Sequence, residues 1–139
     1  MNDVDKQLAY LVLRLALGVN MFIHGAGRLG GNYAEFVAET MKQFANSPIP
    51  AFGVSIWGHM IPYLETAIGL LLTLGFATRL VSVAGSLLMV SLIFGMGTLQ
   101  KWDIVGTQMI YVLFYFLLLF VIEWNRYSVD GWLGRKRGV

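Results

Sequence analysis

Four stretches of this chain are each long and apolar enough to cross a lipid bilayer, and nothing else in the sequence constrains the fold as much. A helix needs about 20 mostly apolar residues to traverse the hydrocarbon core. Such runs cover residues 8–29, 54–75, 80–99 and 106–124. Inside hydrocarbon every backbone N–H and C=O must find a partner within the protein, so runs of this kind read as helices. The expected architecture is all-α: one domain over residues 1–139, an integral membrane four-helix bundle. Its net charge of +2 is mild, and no basic face with interleaved aromatics argues for nucleic acid.

The connections differ in kind. Phe76, Ala77, Thr78 and Arg79 are all that separate the second and third runs, which forces a tight antiparallel hairpin. Gly75 is expected to end one helix and Thr78 to cap the next. The connection after the first run is much longer. Tyr33, Phe36, Val37, Met41 and Phe44 recur there at helical spacing, with Glu35, Glu39 and Lys42 on the other side. Asn32 followed by Glu35 resembles a capping box. An additional amphipathic helix at about 33–45, lying in the membrane interface, is therefore expected.

The chain has no cysteine, which removes disulfides, thiol redox chemistry, thiolate metal sites and covalent haem attachment. Any redox role must use a non-covalent group or a partner. The first residues lack the basic n-region of a signal peptide, so the first helix is expected to be retained. Lys6, Arg79, Arg126, Arg135, Lys136 and Arg137 fall on the side of the termini, against Arg28, Lys42 and Lys101 on the other, a bias of about two to one that places both termini in the cytoplasm. Trp57 and Trp102 would mark the outer aromatic belt, and Tyr10, Trp124, Tyr127 and Trp132 the inner one. The tail Arg135-Lys136-Arg137 suits anionic lipid headgroups.

Ionisable groups inside spans are costly, so each calls for a reason. His24 and His59 are expected at similar depth in the outer half, with Arg28 one turn above His24. Gln108 enters at the outer end of the fourth run. Glu65 lies near mid-membrane, three residues past the helix-breaking Pro62. Two readings stay open. In the first, His24, Arg28, His59, Glu65 and Gln108 line an outward-facing polar cavity for a small molecule or quinone. In the second, Arg14 and Glu65 form a structural intramembrane pair, the histidines bond backbone carbonyls, Arg28 snorkels to headgroups and Gln108 is interfacial polarity. The two histidines could also hold a b-type haem, a weaker reading, and a metal site is weaker still.

Several segments together resemble the DoxX family of small bacterial membrane proteins. Leu13-Arg14-Leu15-Ala16-Leu17-Gly18, continuing to Phe22-Ile23-His24-Gly25-Ala26-Gly27-Arg28-Leu29, is similar to the family's LRL-x-LG…F-x-HG-x-x-KL, with Arg28 where lysine is usual. Glu65 followed by Gly69-Leu70-Leu71-Leu72-Thr73-Leu74-Gly75 and Thr78-Arg79 is similar to E-x-x-GGLLL-x-LG-x-x-TR, with Ile68 in place of the first glycine. Tyr127-Ser128-Val129-Asp130 is similar to YSLD. The motif residues landing here are Arg14, His24, Gly25, Arg28, Glu65, Gly69 and Arg79.

The resemblance implies a four-helix membrane bundle and, more weakly, a function, because the family is mixed. Some relatives are described as a subunit of thiosulfate:quinone oxidoreductase, others as membrane partners of redox or stress-response enzymes. The expected function is accordingly a membrane subunit of a quinone-linked oxidoreductase system in the bacterial inner membrane. Its partners would be membrane lipids, a partner subunit and further copies of itself. The alternative is a non-catalytic scaffold or assembly partner. A transporter or proton path, motivated by Glu65 and Pro62, is opposed by the uncharged third and fourth runs.

Overall fold

The structure is a computed structural model that describes residues 2–137, with side chains through residue 134. The expected headgroup contact of Arg135, Lys136 and Arg137 lies outside the described side chains. Among the described residues all the regular structure is helical, without strands. The helices are α1 (Asp3–Leu29), α2 (Tyr33–Gln43), α3 (Ala51–Leu74), α4 (Thr78–Thr98), α5 (Trp102–Phe120) and α6 (Val129–Arg137), with a 3-10 turn at Ile122–Trp124. Helices α1, α4 and α5 are long and apolar enough to cross a membrane. Helix α3 has the length, at 24 residues, but carries His59, Pro62 and Glu65.

The helices pack as two antiparallel pairs, α1 with α3 and α4 with α5, joined by the short α3–α4 turn. Glycines let α1 and α3 approach closely. A side chain at Gly69 would meet the backbone of Phe22 and Gly18, and one at Gly25 would meet Thr66 and the Pro62 carbonyl. Small residues at such crossings let dispersion contacts accumulate where lipid offers no hydrophobic gain. The core between the pairs holds Leu17, Met21, Ile68, Leu72, Val81, Leu88, Met89, Tyr115 and Leu118. Tyr10 belongs to it as well, which corrects its expected place in the inner belt. It is 3% exposed, and its hydroxyl donates to the Leu118 carbonyl at 3.1 Å.

Several ends differ from expectation. Helix α1 begins earlier, because the Asn2 side chain accepts from the Asp5 N–H at 2.8 Å and Asp3 and Asp5 favour the first turn. The expected capping box at Asn32 does not form: α2 starts there without a side-chain cap bond. Thr78 is the first residue of α4 rather than its cap. That helix start is satisfied from a distance, by the Asp130 carboxylate accepting from Ala77 N–H at 2.8 Å and Thr78 N–H at 2.7 Å. Gly75 does end α3, in the left-handed region at φ 68°. The last run stops at Phe120 rather than continuing to residue 124, and the chain then turns into α6, a helix that the sequence did not signal.

Candidate functional site

The antiparallel pairs leave a cavity of about 750 Å³ toward the end of the molecule that carries α2. Four long helices and α2 all contribute to its wall. Met21, His24 and Arg28 come from α1, and Phe36, Thr40 and Phe44 from α2. Val54, Trp57, Gly58, Ile61 and Glu65 come from α3, while Met89, Leu92 and Met96 lie on α4 and Thr107, Gln108 and Tyr111 on α5. Most of the lining is apolar or aromatic, with a few polar groups converging at one side. That is the usual make-up of a small-molecule site, and the volume lies within the usual range.

Arg28 organises the polar side. Its guanidinium donates through Nη1 to Glu65 Oε2 in an ion pair between α1 and α3. The same guanidinium lies 4.6 Å over the Phe36 ring, which ties α2 to the pair. Glu65 is the enclosed partner: its side chain is 6% exposed against 30% for Arg28. Pro62 sits one turn before it and has no N–H for the helix ladder. Thr66 returns a hydroxyl to the Pro62 carbonyl at 2.7 Å. On the facing wall the Gln108 side-chain oxygen is buried and has no hydrogen-bond partner. A buried acceptor without a donor is uncommon and carries a desolvation cost of about 1–3 kcal/mol.

Of the residues singled out in the sequence, His24, Arg28, Glu65 and Gln108 line this one cavity. His59 does not. It is exposed on α3, its Nδ1 is 2.7 Å from the Ser55 carbonyl oxygen, and Tyr33 meets its ring edge-on at 5.8 Å. The lining residues of α3 centre on Val54, Trp57, Gly58, Ile61 and Glu65, a helical stripe beyond whose edge position 59 is rotated by one residue, or about 100°, from Gly58. The structure therefore does not bring the two histidines into one void. Among the described residues no three His, Asp or Glu side chains cluster to hold a metal ion.

The expected Arg14–Glu65 pair does not form. The α1–α3 register sets Gly18 against Thr73, Phe22 against Gly69 and Gly25 against Thr66. Arg14 thus faces the end of α3, several turns from Glu65. There it is 2% exposed and donates to the Leu72 carbonyl at 2.6 Å, the Thr73 carbonyl at 2.8 Å and the Tyr127 carbonyl at 2.8 Å. The guanidinium satisfies the unpaired carbonyls of a helix C-terminus and suits its negative dipole end. Asp130 does the converse at the α4 N-terminus, and its own N–H donates to the Gly75 carbonyl at 3.0 Å. Asn125 adds a bond to the Thr78 hydroxyl at 2.9 Å. These groups form a latch that fixes the segment after α5 to the α3–α4 turn. Sequence reasoning gave Asp130 and Asn125 no such role. The available signal was Tyr127-Ser128-Val129-Asp130, whose partners lie some fifty residues away in the chain.

A side chain at Gly75 would strike Ser128 and the Arg14 guanidinium, and its positive φ favours glycine independently. Two family-like motifs, the glycine before Thr78-Arg79 and the closing Tyr-Ser-Val-Asp, thus meet at one structural joint.

Comparison with curated proteins and with solved structures returns no match. The profile of the DoxX family matches residues 9–98, most of the chain, from α1 to the end of α4. That span includes Arg14, His24, Arg28 and Glu65, whereas Gln108 and the Asp130 latch lie beyond it. With its long apolar helices, this chain is a membrane protein and belongs to the DoxX family.

Proposed function

We propose that the protein is the membrane subunit of a quinone-linked oxidoreductase, and that the cavity beneath α2 receives the quinone ring. In this reading α3 is a fourth span beside α1, α4 and α5. Its polar residues are accommodated by neighbours, Glu65 by Arg28 and Thr66 by the Pro62 carbonyl. Helix α2 then lies along the outer interface, and both termini face the cytoplasm of a bacterial inner membrane, in keeping with the basic residues on that side.

The observation that carries the ligand reading is the make-up of the cavity wall, apolar and aromatic for the most part with Arg28, Glu65 and Gln108 set among it. The Gln108 amide N–H groups and the Arg28 guanidinium supply donors for the carbonyls of the oxidised ring. Trp57, Phe36 and Tyr111 offer aromatic surface to the ring. His24 lines the cavity one turn from Arg28. A bound quinone supplies two-electron, two-proton redox chemistry. We assign the electron donor, thiosulfate or another reductant, to a partner protein, because this chain has no cysteine to carry sulfur chemistry.

The test is the melting temperature of purified, detergent-solubilised protein with and without a short-chain benzoquinone. A ligand at 100 times its Kd stabilises the folded state by about 2.7 kcal/mol, enough for a shift of several degrees. Gln108→Leu should abolish that shift. Absence of a shift in the native protein would remove the quinone reading in favour of a non-catalytic scaffold.

A further inference from the structure

Two voids meet at His24 and Arg28. One is the cavity; the other is a shallow groove on the outer face of α1 running past Ile23, Val19 and Ala16 to Val12. This face is turned away from the protein, with Val12 65% and Ile23 63% exposed. On a span it faces lipid. Yet two polar residues, Asn20 and His24, are exposed on it, and polar groups turned to hydrocarbon are costly. The structure accounts for both by position. Asn20 lines the groove, Tyr111 lines the cavity, and the Asn20 side-chain amide donates to the Tyr111 hydroxyl at 2.8 Å across the seam between α1 and α5. His24 borders both voids one turn further along. The two helices touch only lightly, and α5 is the least enclosed of the apolar helices.

We propose that this seam is a lateral portal for a tailed quinone. The ring passes from the bilayer between α1 and α5, parting the Asn20–Tyr111 hydrogen bond, and comes to rest by Arg28 and Gln108. The apolar tail stays outside and lies in the α1 groove. This inference rests on the quinone reading above and narrows it to a ligand class: a ring carrying a long hydrocarbon tail, delivered from the membrane. A cavity of about 750 Å³ holds the ring and the first part of such a tail, so the remainder needs an apolar way out, and the groove begins where the cavity ends. Lipid and groove are equally apolar, so the tail adds little affinity there. What the groove determines is where the tail lies.

The experiment therefore reads position. Protein in lipid nanodiscs is illuminated with a benzoquinone whose alkyl tail ends in a diazirine, and adducts are mapped by mass spectrometry. Adducts should concentrate on the α1 face between Val12 and Val19 and fall several-fold when a non-photoreactive tailed quinone competes. Ala16→Trp, which fills the groove without touching the cavity, should reduce these adducts while a tailless quinone still raises the melting temperature. Adducts spread evenly over the lipid-facing sides of α4 and α5, or indifferent to the competitor, would overturn the portal. If the tailless quinone still raises the melting temperature in that case, the portal alone fails. If no quinone raises it, the quinone reading fails and the portal with it.

Discussion

Arg28→Ala and Glu65→Gln remove the same ion pair, yet their costs should differ, because the two partners are enclosed to different degrees. The Glu65 side chain is 6% exposed and that of Arg28 is 30% exposed. Arg28→Ala strands a carboxylate in the wall of an apolar cavity. Removing one partner from a buried pair costs about 3–5 kcal/mol, and the lost stacking on Phe36 adds about 0.5–1 kcal/mol. Glu65→Gln leaves a neutral amide of nearly the same shape, and the freed guanidinium can extend toward the headgroups on its long stem. Its cost should be about 1.5–3 kcal/mol, the worth of one charge-assisted hydrogen bond. Arg28→Ala should therefore be the more damaging change by about 2 kcal/mol or more. The double variant should be more stable than Arg28→Ala alone, since it no longer buries an unpaired charge. Reversible unfolding in detergent, followed by tryptophan fluorescence or circular dichroism, measures all three against the native protein. If Glu65→Gln costs as much as Arg28→Ala, or if the two costs simply add in the double variant, the pair is not coupled and the burial argument is wrong.

Three further outcomes are expected. Asp130→Ala removes the acceptor for two N–H groups at the start of α4 and should destabilise by about 1–2 kcal/mol in the same unfolding assay. Gly69→Val drives a side chain into the backbone of Phe22 and Gly18 and should cost about 1–3 kcal/mol or more by overpacking, whereas Gly27→Ala, with open space around it, should be tolerated. Because the chain has no cysteine, single cysteines report topology cleanly: Glu39→Cys should react with an impermeant thiol reagent in intact cells, and Asp3→Cys only after the membrane is opened.

Much of the helical layout was legible because long apolar runs are a signal summed over many residues. The 33–45 segment was legible for the same reason, since Tyr33, Phe36 and Val37 repeat at the helical period, and the structure places α2 there. What stayed hidden depended on register. The sequence pairs Arg14 with Glu65 as charged residues of the first two runs, but α1 and α3 are aligned by glycine contacts that put Gly18 opposite Thr73. That register exchanges one arginine for another, and Arg28 takes the carboxylate. His59 was readable in principle. The stripe of Val54, Gly58, Ile61 and Glu65 leaves it off the lining face, and depth alone was the wrong criterion for grouping it with His24. The start of α4 was not readable locally, because its cap is Asp130, and no rule of nearby spacing finds a partner so distant. Helix α6 is short and mostly polar, so it carries no hydrophobic repeat by which to find it. The orphaned oxygen of Gln108 is a property of three-dimensional packing, and nothing about a glutamine near the end of an apolar run distinguishes it from interfacial polarity.

The cavity beneath α2 as a quinone site is tested most directly by native mass spectrometry of protein extracted from its own membrane. The native chain should carry a molecule of quinone mass. Ser91→Trp, which places an indole in the cavity from α4, should leave the protein folded and free of that mass. A native chain that carries no quinone, or a Ser91→Trp variant that carries as much as the native one, would contradict the assignment.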